Sequence, residues 1–234
     1  MVKSTFREIK SSFGRYLAIL LIIALGIGFF SGLKVAYELM IYTADSYLTQ
    51  HEMYDYQLIS TLGFDEDTAD TFIGKEGVRQ TEGSKNVDVL MTGEDGNERI
   101  IRALELPEKI NIPEITAGRM PENETECLVD EHAFTKDSIG TKLKLSKSNE
   151  EDALNSFKEK EYTVVGLVRS PIYIYYLRGA TSLGDGTIDG YVYLKSEAFD
   201  MDYDTSIYVM FDKDTALYSE EYDDLISSGE DEWE

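Results

Sequence analysis

One apolar segment near the N-terminus constrains the fold of this chain more than any other feature. Residues 16–33 read YLAILLIIALGIGFFSGL, eighteen residues without a charge, which is the lower limit for a helix that spans a bilayer. At 1.5 Å per residue such a helix covers about 27 Å, close to the thickness of the hydrocarbon core. The sequence therefore predicts one transmembrane helix at residues 16–33.

A cleaved signal peptide is the competing interpretation, because a basic segment followed by an apolar one is typical of both. Three features favour an anchor: the apolar run is long, no A-x-A-like cleavage site follows it, and the helical pattern continues. Apolar and small residues beyond the span recur on one helical face: Leu33, Ala36, Tyr37, Met40, Ala44, Tyr47 and Leu48. Residues 34–50 are therefore predicted to continue the helix as a stalk.

The charges that flank the span predict its direction. Bases precede it at Lys3, Arg7, Lys10 and Arg15, whereas acids outnumber Lys34 after it at Glu38, Asp45, Glu52 and Asp55. The positive-inside rule then places the N-terminus in the cytoplasm and the main domain outside the plasma membrane. Residues 1–15 are interpreted as a basic amphipathic segment that lies along the inner interface.

Small residues inside the span indicate a second role for this helix. Gly28 and Gly32 form a G-x-x-x-G pair, and Ala24 lies one small-residue step earlier. Small residues at this spacing allow another helix to approach closely. Ala24, Gly28 and Gly32 are therefore the candidate helix-packing residues, and the expected partners are membrane lipid and neighbouring membrane helices.

Composition excludes some partners and some chemistry. The formal charge is −23, and so acidic a chain repels nucleic acid and anionic headgroups, which excludes nucleic acid as a partner. Cys127 is the single cysteine, so no intrachain disulfide and no cysteine-based metal cluster can form. Because apolar residues flank Cys127, we expect a small buried core residue and not a nucleophile.

The remainder predicts one α+β domain over residues 51–214, built of short strands and helices. Asp95-Gly96 between residues 85–92 and 98–106 predicts a hairpin with primed-turn chemistry, at the edge of the domain. Further strands are predicted at residues 54–60, 125–130, 141–145, 162–169, 172–177, 191–195 and 206–211, and helices at 65–73 and 131–136. Residues 147–160 are interpreted as a loop or an exposed helix, and 179–190 as a glycine-rich loop.

Two segments leave alternatives open. The tyrosine-rich run PIYIYYL at residues 171–177 is interpreted as a strand packed on both faces, with an apolar groove for a peptide or lipid as the alternative. Residues 215–234 show the start of an acidic amphipathic helix, possible coiled-coil sequence, which suggests a fragment of a longer protein.

No catalytic constellation is found. The sequence lacks a phosphate-binding loop, H-E-x-x-H, C-x-x-C and G-x-S-x-G. The two histidines, His51 and His132, are far apart, so ordinary hydrogen-bonding roles are favoured over a metal site. Acid-rich residues 65–70 and 201–204 lack calcium-loop spacing. We expect no enzyme activity, no metal and no cofactor.

Four segments in order resemble a known family. Residues 6–36 (FREIKSSFGRYLAILLIIALGIGFFSGLKVA) resemble the first membrane helix of FtsX-like, MacB-type ABC transporter permeases of Gram-positive bacteria. The segments GRMPENETECLVDE, EYTVVGLVRSPIYI and DGYVYL (residues 118–131, 161–174 and 189–194) resemble strands of the extracytoplasmic core of that family, and IGTKLKL follows the first of them. The resemblance implies a MacB-like periplasmic core fold and a permease subunit without catalytic activity of its own.

The family implies partners that this chain does not contain. Such permeases work with a separate cytoplasmic ATPase, and their outer domain exports or extracts a peptide, lipoprotein or drug. No apolar run after Leu33 is long enough to span a membrane, so the chain is expected to need further permease helices or a second permease chain. The alternative is a single-pass surface protein that binds a ligand or partner, as a sensor or an adhesion module.

Overall fold

A computed structural model describes residues 13–75 and 77–212, together with Tyr222, Asp224 and Ser227, which are helical. The chain divides into two compact units, residues 1–46 and 47–234. The segment predicted at the inner interface therefore lies almost wholly outside the described residues, as does most of the predicted acidic helix of residues 215–234.

The first unit is dominated by one helix, α1 (Phe13–Gln50), whose last turn belongs to the second unit. Among the described residues α1 is the one helix long and apolar enough to cross a membrane. No break separates the predicted span from the predicted stalk, so the prediction that the helix continues beyond Leu33 is confirmed. The boundary at residues 33 and 34 stays a prediction.

The end of α1 forms a Schellman motif. The N–H of Met53 donates to the carbonyl of Leu48 (3.0 Å), and the N–H of Glu52 donates to that of Thr49 (3.2 Å). The motif requires a left-handed residue after the helix, and Glu52 adopts it with φ of 49°. This position usually holds glycine, because a side chain there costs free energy.

The second unit contains two sheets and short helices. The strands are β1 (Tyr56–Asp65), β2 (Val78–Ser84), β3 (Asn86–Thr92), β4 (Glu98–Glu105), β5 (Glu114–Gly118), β6 (Glu126–Asp130), β7 (Lys142–Leu145), β8 (Glu161–Arg169), β9 (Gly190–Leu194) and β10 (Tyr203–Phe211). The helices are α2 (Thr68–Phe72), α3 (Glu151–Asn155) and three 3-10 turns at Lys136–Ser138, Pro171–Tyr173 and Ser196–Ala198. The predicted α+β class is confirmed.

Three antiparallel strands form the smaller sheet, in the order β1-β10-β2. The central strand β10 buries Ile207, Val209 and Phe211 against α2 and the flanking strands. Strand β1 is irregular, since its register with β10 shifts between Ile59 and Phe64. The bulge leaves Leu62 94% exposed.

The larger sheet closes on itself as a barrel. Its order is β5-β8-β6-β9-β4-β3-β7, and β7 also pairs with β8, which completes a ring of six strands with β5 attached outside it. Alternate residues of each strand point inward, as the period of two in a strand requires. The interior is filled by apolar side chains: Val89, Met91, Ile101, Ala103, Cys127, Val129, Leu143, Leu145, Tyr162, Val164, Val192 and Leu194. The prediction that Cys127 is a buried core residue is confirmed.

The predicted hairpin exists, but two of its details were wrong. Strands β3 and β4 pair antiparallel, from Asn86 with Leu104 to Thr92 with Glu98. Both strands belong to the barrel wall, with β7 on one side and β9 on the other, and neither is an edge strand. The turn spans residues 93–97, and only its Gly96 has positive φ (74°), whereas a primed turn requires two such residues. The carboxylate of Asp95 instead accepts a bond from the N–H of Asn97 (3.1 Å).

The strand predicted at residues 172–177 was also wrong. Ser170 accepts a bond from the N–H of Ile172 through its hydroxyl and caps a 3-10 turn that begins at Pro171. Proline lacks the N–H that a strand would use and suits the first position of a helical turn. The helix predicted at residues 131–136 is likewise a turn followed by the 3-10 turn Lys136–Ser138.

Candidate functional site

The tyrosine-rich run forms an exposed loop at the surface of the second unit. Ile174, Tyr175, Tyr176 and Leu177 are 66%, 71%, 78% and 66% exposed. We call residues 174–177 the apolar loop. Four consecutive large apolar side chains in water are unfavourable in a soluble surface and mark an interaction site. From the sequence, this run was interpreted as a buried strand, with an apolar groove as the alternative. Neither interpretation predicted an exposed loop or the contacts that support it.

A buried hydroxyl network supports the start of this loop. The Tyr191 hydroxyl accepts from the N–H of Ser170 (3.0 Å) and donates to the carbonyl of Val168 (3.2 Å). The hydroxyls of Ser170 and Tyr193 are 2.7 Å apart. Burial raises the pKa of Tyr191 and Tyr193, so both hydroxyls remain protonated and able to donate.

An ion pair holds the end of the loop. Arg178 donates to both carboxylate oxygens of Asp130, at 2.6 and 3.0 Å, and the two side chains are 5% and 1% exposed. The same guanidinium donates to the carbonyl of Tyr175 (2.6 Å) and lies 5.6 Å from the ring centroids of Tyr173 and Tyr191. Burial opposes the charge on Arg178, but the bond and the charge of Asp130 outweigh it and raise the pKa. The loop is therefore presented on a rigid support.

The last turn of α1 lies beside this support. Tyr47 lines a small cavity of about 120 Å³ together with Arg169, Ile174 and Arg178. The Tyr47 hydroxyl is buried and has no hydrogen-bond partner among the described residues. Its pKa is raised, first by burial and then by the charge of Glu114.

The helix end is fixed to the domain by a second set of contacts. The Nδ1 of His51 is 2.8 Å from the carbonyl of Ile112 and is the donor, because a carbonyl can only accept. The N–H groups of Asn111 and Ile112 donate to the carbonyls of Glu52 and His51 (2.8 and 2.9 Å). Asn111 has positive φ (63°), and its Oδ1 accepts from the N–H of Tyr54 (3.1 Å). His51 therefore has the hydrogen-bonding role favoured by the sequence.

Two clefts lie between the small sheet and the barrel, with volumes of about 730 and 760 Å³. Leu104, Ile172 and Tyr208 line both of them and separate one from the other. We call the first the acidic cleft, because carboxylates of β2, β4 and the 105–109 segment line it. The second contains the Asp88–Arg102 ion pair, 2.7 Å apart. Volumes in this range are typical of ligand sites.

The residues selected from the sequence lie on α1, in the first unit. Gly28 and Gly32 are exposed, and a Cβ at either position would meet nothing within 4 Å. Ala24 is also exposed. A second helix could approach this face closely, and the assignment of these three residues to helix packing stays a prediction.

No group of three or more His, Cys, Asp or Glu side chains suited to a metal occurs among the described residues. His51 and His132 have separate surroundings: His51 bonds to Ile112, whereas the His132 ring is 6.3 Å from that of Tyr176. The ion pair that supports the apolar loop was not predicted from the sequence, because Arg178 and Asp130 are distant in the chain and no local pattern joins them.

No protein-family model and no curated protein matches the sequence. Among solved structures, the chain is similar to the extracellular domain of the noncanonic ABC-type transporter YknZ from Gram-positive bacteria, with 12% identity, a TM-score of 0.43 and coverage of 74% of this chain and 87% of that one. It is also similar to the periplasmic region of MacB from Actinobacillus actinomycetemcomitans, with 11% identity, a TM-score of 0.41 and coverage of 75% of each chain.

Proposed function

We propose that this chain is the N-terminal portion of the permease component of an ABC transporter. In this proposal residues 16–33 cross the plasma membrane, the N-terminus is cytoplasmic, and the domain of residues 51–214 lies outside. The partners are a cytoplasmic ABC ATPase, which hydrolyses ATP, and further permease helices or a second permease chain. The exported or extracted substrate is a peptide, a lipoprotein or a drug.

The observation that carries the proposal is the direct fixation of the helix end to the domain. Only residues 51–55 separate α1 from β1, and within them Glu52 bonds to Asn111 while Met53 closes the Schellman motif. Arg79 on β2 also pairs with Glu52 at 3.3 Å. Because no free linker intervenes, a displacement of the last helical turn is passed through these backbone bonds to the 111–112 segment, whereas the exposed ion pair with Arg79 adds little.

Such a junction suits mechanical coupling. A flexible tether would let the helix move without the domain, as in a simple membrane anchor. Here residues 51 and 52 are held by backbone bonds to residues 111 and 112, and the N–H of Asp55 donates to the carbonyl of Val209 on β10 (2.9 Å). Force applied to the last helical turn therefore reaches the small sheet. This is the property expected of a permease in which ATP-driven motion passes through the membrane helices to the outer domain.

A second candidate function rests on the two clefts. A single-pass surface protein that binds a ligand, as a sensor or an adhesion module, needs an anchor and a pocket and no further helices. The clefts of about 730 and 760 Å³ supply such pockets.

Affinity purification of the tagged full chain from membranes of its native cell, with partners identified by mass spectrometry, tests the proposal. The expected result is recovery of an ATPase with a phosphate-binding loop together with a polypeptide that carries further membrane helices. Recovery of neither, from a chain that is stable and exposed at the surface, would refute the permease proposal and favour the second candidate.

The helix-packing prediction supplies a matched control. In Gly28→Leu combined with Gly32→Leu, two leucines fill the proposed contact face, and recovery of the membrane partner is expected to fall. Gly26→Leu adds the same side chain to the opposite face, since 200° of helical rotation separates Gly26 from Gly28. A Cβ at Gly26 also meets nothing within 4 Å, so Gly26→Leu is expected to leave recovery unchanged. Equal recovery from both variants would contradict the assignment.

A further inference from the structure

The acidic cleft combines charge, apolar surface and a buried donor in one cavity. It lies where the small sheet meets the barrel and measures about 730 Å³. Six carboxylates line it, against the two bases Lys109 and Lys195. The carboxylates are Glu66, Asp70, Glu82, Glu105, Glu108 and Glu197.

Three of these carboxylates are already used by the fold, since the carboxylate of Glu105 accepts the N–H of Lys85 (3.0 Å). Glu82 accepts from the N–H groups of residues 108–110, at 2.6 to 3.2 Å. Glu66 pairs with the buried Lys85 at 3.2 Å. Among the described residues no ion pair neutralises Asp70, Glu105, Glu108 or Glu197, so the cleft keeps a negative potential.

A carboxyl beside the cleft responds to this potential. Asp204 is buried against Gly83, where a Cβ would lie only 1.8 Å from its Oδ2. Burial raises the pKa of Asp204 to about 6, and the charge of Glu105 contributes in the same direction although Lys85 opposes it. The charges of Glu105 and Glu66 near Asp204 thus favour a cation in the cleft, whereas burial disfavours a charge of either sign.

The floor of the cleft is apolar. Leu104, Ile172, Tyr193 and Tyr208 line it, and Tyr193 and Tyr208 are almost fully buried. An apolar body on a ligand would pack against this floor, whereas a small ion would not.

A buried donor completes the cleft. Asn111 lines the cleft and is 1% exposed. Its Oδ1 is used by Tyr54, but its Nδ2 has no partner among the described residues. A buried N–H without an acceptor is unfavourable, and a carbonyl-type oxygen on a ligand would satisfy it.

We propose that the acidic cleft binds a cationic amphipath: an amine or guanidinium on an apolar body that also carries a carbonyl-type acceptor. The cation lies among Glu66, Glu105 and the neighbouring carboxylates, the apolar body covers Tyr193 and Tyr208, and the acceptor takes the N–H of Asn111. This inference deepens the proposed function, since the ligand would be the substrate or regulator of the outer domain.

The probe is the tripeptide acetyl-Leu-Lys-Tyr-amide, titrated calorimetrically into the full chain in phosphatidylcholine nanodiscs. Two control peptides carry norleucine or glutamate in place of the lysine. The lysine peptide is expected to bind at least about tenfold more tightly than the norleucine peptide, and the glutamate peptide is expected not to bind. N-(4-Aminobutyl)benzamide, which carries an amine, an aromatic body and one carbonyl, tests a small-molecule source: binding as tight as the tripeptide assigns the site to small amphiphilic amines, and weaker binding assigns it to peptides. Equal affinity for the lysine and norleucine peptides would overturn the proposal.

Charge-neutralising variants locate the site. Glu66→Gln with Glu105→Gln is expected to weaken the lysine peptide at least about fivefold, whereas Asp137→Asn with Glu159→Gln, which removes two exposed carboxylates outside the cleft, should not. If both double variants weakened binding of the lysine peptide equally, the effect would come from the overall charge of the chain, and the assignment of binding to the cleft would be refuted. Near-ultraviolet circular dichroism checks folding, and the exposed Glu197→Gln replaces the first variant if that one does not fold.

Asn111→Asp tests the donor. This change keeps an acceptor for the N–H of Tyr54 and removes the unpaired N–H, but it adds a charge that would itself attract a cation. The test therefore uses the uncharged norleucine peptide, whose binding is expected to fall at least about fivefold. Unchanged binding would overturn the role of Asn111. These titrations use the chain without an ATPase. If the cleft does not bind the peptide, the proposed function is still tested independently by co-purification of the partners.

Discussion

Replacement of Arg178 by methionine should destabilise the second unit strongly. The change leaves the carboxylate of Asp130, which is 1% exposed, without its partner. It also removes a charged donor from the carbonyl of Tyr175, 2.6 Å away. Loss of one member of a buried pair costs about 3–5 kcal/mol. For a unit of this size that corresponds to a fall in Tm of roughly 6–20 °C.

Urea unfolding of the full chain in detergent, followed by near-ultraviolet circular dichroism of the tyrosines, measures this change. Arg169→Met is the matched control, since Arg169 is half exposed and pairs with Glu131 at the surface. It should cost about 1 kcal/mol or less. Adding Asp130→Asn to Arg178→Met removes the unpaired charge but keeps the acceptor for the N–H of His132.

The double variant should therefore be more stable than Arg178→Met alone by at least about 1 kcal/mol. The reasoning is refuted if the free energy of unfolding of Arg178→Met lies within about 1 kcal/mol of that of the native chain. It is also refuted if the effects of Arg178→Met and Asp130→Asn, each measured alone, add up to that of the double variant. Chymotrypsin gives an independent readout, because the apolar loop should be cut faster at Tyr175 and Tyr176 once Arg178 no longer holds it.

Three further outcomes are expected from single residues. Glu52→Gly should be more stable than Glu52→Ala by about 1 kcal/mol in the same urea experiment, because only alanine retains a Cβ at positive φ; equal stability would argue against strain at the helix end. Cys127 should resist maleimide at pH 8 in the native chain and react in urea, because burial raises its pKa and closes access; native labelling would contradict the barrel. The pKa of Asp204, raised to about 6 by burial, favours the protonated folded form, so its stabilising effect is complete near pH 4 and is lost as pH rises through 6. As the pH rises from 4 to 8, the free energy of unfolding of Asp204→Asn should therefore increase by roughly 2–3 kcal/mol relative to that of the native chain. A difference between the two that does not vary with pH would refute this.

Local patterns predicted much of the fold. The uncharged run of residues 16–33 and the recurrence of apolar residues to Leu48 predicted one continuous helix, and the structure has α1 over Phe13–Gln50. The strand positions were predicted from turn residues and apolar runs, as with β8 at Glu161–Arg169. The burial of Cys127 was predicted from its apolar neighbours. In each case the signal lies within a few residues of the feature.

The failures involve interactions between distant residues or competing turn chemistry. The run of residues 172–177 has the composition of a buried strand, but the Ser170 cap and Pro171 impose a 3-10 turn first. The ion pair of Asp130 with Arg178 then holds the apolar loop in place of a strand. Closure of the barrel through the pairing of β7 with β8 depends on strand order, which no local pattern contains.

The position of β10 in the small sheet affects how the chain can be made. β10 lies between β1 and β2 and pairs with both, yet among the described strands it is the last to be synthesised. At 5–20 residues per second, the chain between Ser84 and Tyr203 takes roughly 6–25 s to synthesise. During that interval β1 and β2 have open edges and cannot complete their sheet, and such long-range pairing is slow. A nascent chain stalled before Tyr203 would therefore be a target for aggregation or for a holding chaperone, whereas one synthesised beyond Phe211 could complete the small sheet.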